Sequence, residues 1–377
     1  MKTFPQYPQI VIIGGNFGWV LAKTLAAKYK DWQILFLMRD ETKVAEARAS
    51  RIVDKFFGQK IRQSGNTDAA AWIALPENVS FYSLSDFRQY FRGKIQTLFI
   101  PAISSNSLRE ALEEIVSAGV PLTAFDSCVT FSVSKGMEVL SQKFAHEVID
   151  EVLHINSVVG LGGNLAFDLG MGDPMLMELA GPSNNTSRIA ELFRGSSLKT
   201  LQSRNRRKLG LAGPMKNIHS LATGMASEIY GNSSVASIAT LGLAEYEQAV
   251  FVVQFPQKLR RLACQLQKIP FNFRSVPIGG GVMSDYHLFR FTRNFEAGQN
   301  VVRHLRAGKD IRSAMSLISK EKTIESFASI IPTRDFLRQL GVHSPIIEIM
   351  SEILTENLSP EEGINQIMES IAHCRSC

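Results

Sequence analysis

The residues best suited to chemistry early in the chain form a glycine-rich turn, Ile13-Gly14-Gly15-Asn16-Phe17-Gly18. It follows the β-branched run Gln9 to Ile13 and precedes Trp19 to Lys28, where Val20, Leu21, Thr24 and Leu25 fall at helical spacing. Such a turn suits a pyrophosphate: N–H groups at a helix start point at the anion, and side chains do not block its approach. In the dinucleotide fingerprint G-x-G-x-x-G, Gly15 and Gly18 take the second and third positions, Ile13 the first, with Gly14 directly after it. The expected cofactor contacts are Gly14, Gly15, Asn16, Phe17 and Gly18. The next strand-like run, Gln33 to Met38, ends in Arg39-Asp40 at the required spacing. Arg39 can hold a 2′-phosphate and Asp40 a ribose hydroxyl, so NADPH and NADH both stay open.

Other residue types offer less. Cys128, Cys264, Cys374 and Cys377 are too few and too scattered for a disulfide framework, and the lone C-x-x-C at the tail is not read as a metal site. The seven histidines show no ligand or triad spacing and are read as packing or surface residues. The densest basic cluster, Arg204, Arg206, Arg207 and Lys208, has no aromatic residue that would stack on bases, so nucleic acid is not an expected partner.

The elements that must position the turn follow from the alternation of patterns. Strands are expected at Val79 to Tyr82, Thr97 to Ile100, Val120 to Phe125 and Ile155 to Val159, with amphipathic helices at Ser107 to Ser117 and Gly136 to Leu153. This alternation argues for a mostly parallel, doubly wound sheet covered on both faces, a Rossmann-like α/β domain. From Pro214 onward the chain reads as helices: Met215 to Ile229, Ser233 to Phe255, Asn300 to Ala307, Thr333 to Gly341 and Ile346 to Leu354. Two domains are therefore expected, a dinucleotide-binding domain over 1–207 and an all-helical catalytic domain over 208–377. A length of 377 residues, 45% of them hydrophobic, gives each a proper core. The net charge of +6 is spread along the chain, no run approaches a membrane span, and a cytoplasmic protein is expected.

The second half carries a family resemblance. Met215-Lys216-Asn217-Ile218, Gly224, Gly231-Asn232-Ser233-Ser234-Val235-Ala236 and Gly242-Leu243-Ala244-Glu245 resemble the second-domain signature of the NAD(P)-dependent glycerol-3-phosphate dehydrogenases. The likeness extends to Ala102 through Arg109, to Ser134-Lys135-Gly136-Met137-Glu138, to Arg293-Asn294 and to Leu340 through Ile346. It implies hydride transfer between nicotinamide C4 and C2 of dihydroxyacetone phosphate, giving sn-glycerol 3-phosphate, a precursor of phospholipids. It places Lys216 on the catalytic lysine with Asn217 beside it, and Lys135 on a second active-site lysine that also meets the cofactor. Arg293 and Asn294 fall on the phosphate clamp, and Arg293 and Glu325 near the cofactor. A buried lysine among positive neighbours can act as the acid near neutrality. The segment Gly162-Gly163-Asn164-Leu165-Ala166 stands where the family's Gly-Pro-Ser-Phe-Ala turn brings backbone to the substrate; Gly162 and Asn164 are expected on the substrate and Ala166 on the cofactor.

The departures from the family pattern fall on the same places. Leu241 replaces an arginine, Ser326 a glycine, and Tyr286 a threonine. Without gaps from Arg293-Asn294, Val282 takes the place of the catalytic aspartate. Asp285 can serve instead only if the segment is three residues longer before it and three shorter after it; otherwise it is an exposed turn residue. Losing that carboxylate would cost orders of magnitude in rate, because it orients the lysine ammonium. The rivals are thus a dehydrogenase of altered substrate and a non-catalytic nucleotide-binding relative, and a carboxylate at Lys216 separates them. The expected partners are a small phosphorylated substrate, bound in the cleft between the domains, and a second copy of the chain in a homodimer.

Overall fold

The computed structural model describes residues 9–91, 97–163, 165–255 and 280–373. Asn164, Cys264, Cys374 and Cys377 lie outside them. The chain divides into two compact units: Met1–Lys135 with Ala145–Arg206, and Gly136–Phe144 with Arg207–Cys377.

The first unit runs β1 (Gln9–Gly14), α1 (Asn16–Lys28), β2 (Gln33–Met38), α2 (Glu41–Ser50), α3 (Asp54–Ser64), α4 (Ala69–Ile73), β3 (Val79–Ser83), α5 (Phe87–Tyr90) and β4 (Thr97–Ala102). It continues through α6 (Ser105–Ser117), β5 (Cys128–Ser132), α7 (Ala145–Leu153), β6 (Val158–Gly162), α8 (Ala166–Met171), β7 (Met175–Ala180), α9 (Ser183–Phe193) and β8 (Leu198–Ser203). These strands form one sheet in the order β3-β2-β1-β4-β5-β6-β7-β8. Neighbours are parallel except β6 and β7, which run antiparallel.

Both sheet faces are covered, which is why the central strands read as continuous apolar runs. Side chains alternate: Ile10, Ile12, Ile34 and Phe36 pack with Trp19 and Leu25 of α1 and with Ile189 and Leu192 of α9. Val11, Ile13, Leu35 and Leu37 pack on the other face with Leu108, Leu112 and Ile115 of α6 and with Val148 and Ile149 of α7. Truncating any one of these large side chains to alanine costs about 2–5 kcal/mol. From β1 the chain leads to β2 on one side, while β4 lies on the other, so a crevice opens beyond the C-terminal ends of β1 and β4. Gly14 and Ala102 face each other there.

Two expectations need correction. The run Val120 to Phe125 is not a strand: Leu122–Phe125 is a single 3₁₀ turn, and the fifth strand follows at Cys128–Ser132. Pro121 lacks a ladder donor, and Ala124 and Phe125 bury themselves in the core from the turn. The stretch Gly136 to Leu153 is helical only from Ala145. Gly136 has a left-handed φ of +116°, and Met137 bridges Phe144 across a short antiparallel bend. This bend joins the second unit, where the Phe144 ring lies 5.2 Å from that of Phe336.

The second unit is helical: α10 (Arg206–Ile229, its first residue still in the first unit), α11 (Asn232–Val253), α12 (Gly280–His287), α13 (Arg293–Arg306), α14 (Ile311–Glu321), α15 (Glu325–Leu340), α16 (Pro345–Leu354) and α17 (Pro360–His373). Every residue of α10 from Lys208 to Ala226 is buried, the signature of a central helix. It touches α13 backbone to backbone. A Cβ on Gly224 would lie 2.1 Å from the Phe295 carbonyl oxygen, and one on Gly298 would lie 2.2 Å from that of Leu221. Glycine at both positions is what allows the crossing, and the crossing fixes the start of α13 relative to Lys216 and Asn217, two turns earlier on α10.

Candidate active site

The glycine turn of the first unit has three glycines in three different surroundings. At Gly18, an added Cβ would meet Ala102 Cβ at 3.1 Å and Ile12 Cγ2 at 3.2 Å, so a side chain there would press the helix off the strands by a few tenths of an ångström. Gly14 is slightly tighter, 3.0 Å from the Phe36 ring. Around Gly15 nothing lies within 4 Å of the Cβ position, which leaves an open cradle at the helix start. The N-cap, Gly15, has no side chain to cap α1, and the first turn carries no acidic residue, so the leading N–H groups and the dipole face that opening. These features fit a dinucleotide pyrophosphate. Asn16 uses its side chain elsewhere, donating from Nδ2 to the Phe56 carbonyl at 2.9 Å, and Phe17 packs on the core. Their backbone amides are what they offer the opening.

At the end of β2, Arg39 is ion-paired to Glu110 at 2.7 Å and Glu114 at 3.4 Å, both on α6. Asp40 caps α2: Oδ1 accepts from the amides of Thr42 and Lys43, and Oδ2 meets Lys43 Nζ at 2.9 Å. The Lys43 side chain, followed by its amide, holds this carboxyl below the ordinary aspartate range. Lys135 follows β5 and donates from Nζ to the Gly162 carbonyl at 3.0 Å. Gly162 ends β6 opposite Met177 of β7. Ala166, first residue of α8, is half-buried against the core.

In the second unit the distant sequence segments converge. Lys216 Nζ lies 3.3 Å from Asp285 Oδ1, and the two residues are 6% and 3% exposed. Asp285 sits on α12, not in an exposed turn. Val282, the position expected from the gap-free register, lies one helical turn earlier and is fully buried. Leu241 is 4% exposed on α11. These two departures therefore fill the core.

Asn217 donates from Nδ2 to Glu325 Oε2 at 2.6 Å. Asn294 Oδ1 accepts from the Ser326 amide at 3.1 Å and from Ser326 Oγ at 2.7 Å. Asn294 thus caps the start of α15, which has no cap of its own. The Ser326 hydroxyl supplies a donor that a glycine would lack. Arg293 is exposed and opens α13, whose cap is Thr292 accepting from the Phe295 amide at 3.2 Å. The structure brings Lys216 to Asp285, Asn217 to Glu325, and Asn294 to Ser326; Lys135 and Gly162 meet in the first unit.

Sequence reasoning missed His219. It is buried, with Nδ1 3.2 Å from Tyr286 Oη and Nε2 3.0 Å from Glu245 Oε2. The only signal was its place three residues after Lys216, on the same helix face. Burial, then the nearby Tyr246, Glu245 and Asp285, raise the Tyr286 phenol well above its ordinary range, so it is a hydroxyl donor. Among the described residues no group of three or more His, Cys, Asp or Glu side chains could hold a metal ion, and no helix is long and apolar enough to cross a membrane.

Comparison with known proteins shows which family the chain belongs to. Residues 9–187 match the NAD-dependent glycerol-3-phosphate dehydrogenase N-terminus, and residues 207–365 match the C-terminus of the same family. The NAD(P)+ glycerol-3-phosphate dehydrogenase of Chlorobium limicola is 27% identical over 277 residues, 72% of this chain and 76% of that one. That of Frankia casuarinae is 25% identical over 371 residues, 95% of each. The crystal structure of glycerol-3-phosphate dehydrogenase from Coxiella burnetii shares the fold, with a TM-score of 0.72 at 19% identity over 96% of this chain and 98% of that one. With both family segments matched in order along nearly the whole chain, the protein belongs to the NAD-dependent glycerol-3-phosphate dehydrogenase family.

Proposed function

We propose that the protein is an NAD(P)-dependent oxidoreductase that interconverts dihydroxyacetone phosphate and sn-glycerol 3-phosphate. The observation that carries this reading is the buried Lys216–Asp285 pair. A reduced nicotinamide, when bound, supplies the hydride. The proton must come from the protein, and an ammonium at the ketone oxygen both polarises the carbonyl and delivers that proton as the alkoxide forms. Lys216 has that role, and Asp285 aims its ammonium. A pair this deeply buried is weakly screened, so its field acts on the reacting oxygen with little loss to water.

Lys135, steadied by the Gly162 carbonyl, is the assisting cation. Arg293, at the start of a 14-residue helix, provides a guanidinium and a helix N-terminus for the phosphate dianion. The carbonyl side of Asn294 is committed to Ser326, so its amide nitrogen remains as the donor. Asn217 and Glu325 hold each other beside Lys216. The turn Gly14 to Gly18 receives the pyrophosphate, and Arg39, at the end of β2, is the residue to read a 2′-phosphate. The contact of Asp285 with Lys216 supports a dehydrogenase over a non-catalytic relative. Family membership also supports a cytoplasmic homodimer, which sedimentation and fractionation of the native host test.

The direct experiment follows absorbance of NADH and NADPH with dihydroxyacetone phosphate and identifies the product by chiral chromatography. Oxidation that requires the ketone and yields sn-glycerol 3-phosphate supports the reading. Tight cofactor binding without turnover would overturn it.

A further inference from the structure

The Lys216–Asp285 pair has a second rung beside it. His219 follows Lys216 by three residues on α10, and Tyr286 follows Asp285 on α12, so two side-chain pairs join the same two helices. We infer that His219, acting through the Tyr286 hydroxyl, is a positioning residue that sets where the Asp285 carboxylate stands against the Lys216 ammonium. This inference rests on the dehydrogenase reading for its kinetic consequences but not for its geometry.

Helix α12 is eight residues long, too short to hold its own shape or place in water, so what it is tied to decides where Asp285 points. Among the described residues, Tyr286 ties the helix one position after the carboxylate. Its ring lies 5.7 Å from that of Tyr246 on α11, and its hydroxyl reaches His219 Nδ1. A second tie, Ser220 Oγ donating to the Phe289 carbonyl at 2.8 Å, lies beyond the end of the helix.

His219 is itself fixed on every side. Glu245 receives the Ser344 hydroxyl on Oε2 at 2.6 Å and the Ile346 amide on Oε1 at 2.7 Å, both at the start of α16. The Nε2–H tautomer matches these bonds, with the ring donating to Glu245 and Nδ1 accepting from the tyrosine hydroxyl. Donors and acceptors then match along Tyr286, His219 and Glu245. Gly242 on α11 makes room for the ring: a Cβ there would come within 2.7 Å of its Cγ and Nδ1. With no freedom to swing, the imidazole holds the tyrosine, and the tyrosine holds the turn of helix that carries Asp285. Among the described residues, Tyr286 on α12, His219 on α10, and Glu245 and Tyr246 on α11 are ionisable groups of this network.

Three full-length variants test this: Tyr286→Phe, which removes one hydroxyl; His219→Leu, which removes both ring contacts; and His219→Asn, whose amide oxygen stands near the place of Nδ1. In Tyr286→Phe and His219→Leu, kcat should fall about tenfold while the KM for dihydroxyacetone phosphate changes less than about threefold, the pattern of a misaimed group. His219→Asn should recover most of the loss. A readout independent of turnover is the pH midpoint of reductive methylation at Lys216, followed by mass spectrometry. With Asp285 less well aimed, the ammonium loses support and the midpoint should fall in Tyr286→Phe. Long-range ¹H–¹⁵N correlation of the parent should show the His219 proton on Nε2.

An unchanged kcat and methylation midpoint in folded Tyr286→Phe would overturn the inference. So would equal losses in His219→Leu and His219→Asn, or a parent imidazole protonated on Nδ1 alone. If the parent fails to reduce the ketone but the methylation midpoint still moves, the function proposed above fails and the positioning role stands. Should the variants not fold, the tautomer of the parent decides.

Discussion

Lys216 and Asp285 are 69 residues apart in sequence and 3.3 Å apart in space, each almost fully removed from water. A buried pair of this kind is costly to break and need not be costly to replace, because each charge compensates the desolvation of the other. Asp285→Asn is therefore expected to lower kcat by about 100-fold or more and to reduce stability by about 3 kcal/mol. The apolar double variant Lys216→Met with Asp285→Leu should recover much of that stability and none of the activity. Urea titration of the second-unit transition with parallel rate assays checks both; a double variant less stable than Asp285→Asn would show that the pair is held for stability.

Arg39 bears on the choice of dinucleotide. Its partners Glu110 and Glu114 are exposed, and exposed ion pairs contribute little, so exchanging them for a 2′-phosphate costs little. Asp40, by contrast, is occupied by the cap of α2. Arg39→Ala should lower kcat/KM for NADPH about tenfold and leave that for NADH within about threefold. Equal changes with the two cofactors would remove Arg39 from the 2′-phosphate site.

The family resemblance implies a substrate-facing Gly162, and the structure adds a reason of another kind for a glycine there. A Cβ there would fall 2.0 Å from the Leu176 carbonyl oxygen, so strands β6 and β7 cannot keep their approach around any side chain. Gly162→Ala should destabilise the first unit by about 2–3 kcal/mol and disturb the carbonyl that steadies Lys135. Calorimetry of the parent and variant gives the answer; a melting curve like the parent's would mean that the strands tolerate the methyl.

What the sequence makes legible follows from how local each signal is. The unit β1-α1-β2 is readable because its strand pattern, its glycines and its helical spacing lie within 30 consecutive residues. Strand β8 is not, since most of Leu198–Ser203 is partly or fully exposed at the sheet edge and carries no apolar run. Val120 to Phe125 has strand-like residues, but Pro121 diverts it into a turn. Lys216, Lys135 and Arg293 could be named only because a family pattern places them. Asp285 required folding: a helix puts it one turn from Val282 on the same face, a shift that gap-free spacing along the chain does not reveal. The contacts of His219 lie 26 and 67 residues away, and no local pattern foretells either.

The central claim is that the Lys216 ammonium delivers the proton when the ketone is reduced. Its most direct test is the steady-state rate of dihydroxyacetone phosphate reduction by the parent and by Lys216→Ala, with dinucleotide affinity measured in parallel by fluorescence. The account predicts a kcat lower by about 1,000-fold with an affinity for NADH or NADPH within about threefold of the parent. A variant that reduces the ketone at the parent's rate would contradict it.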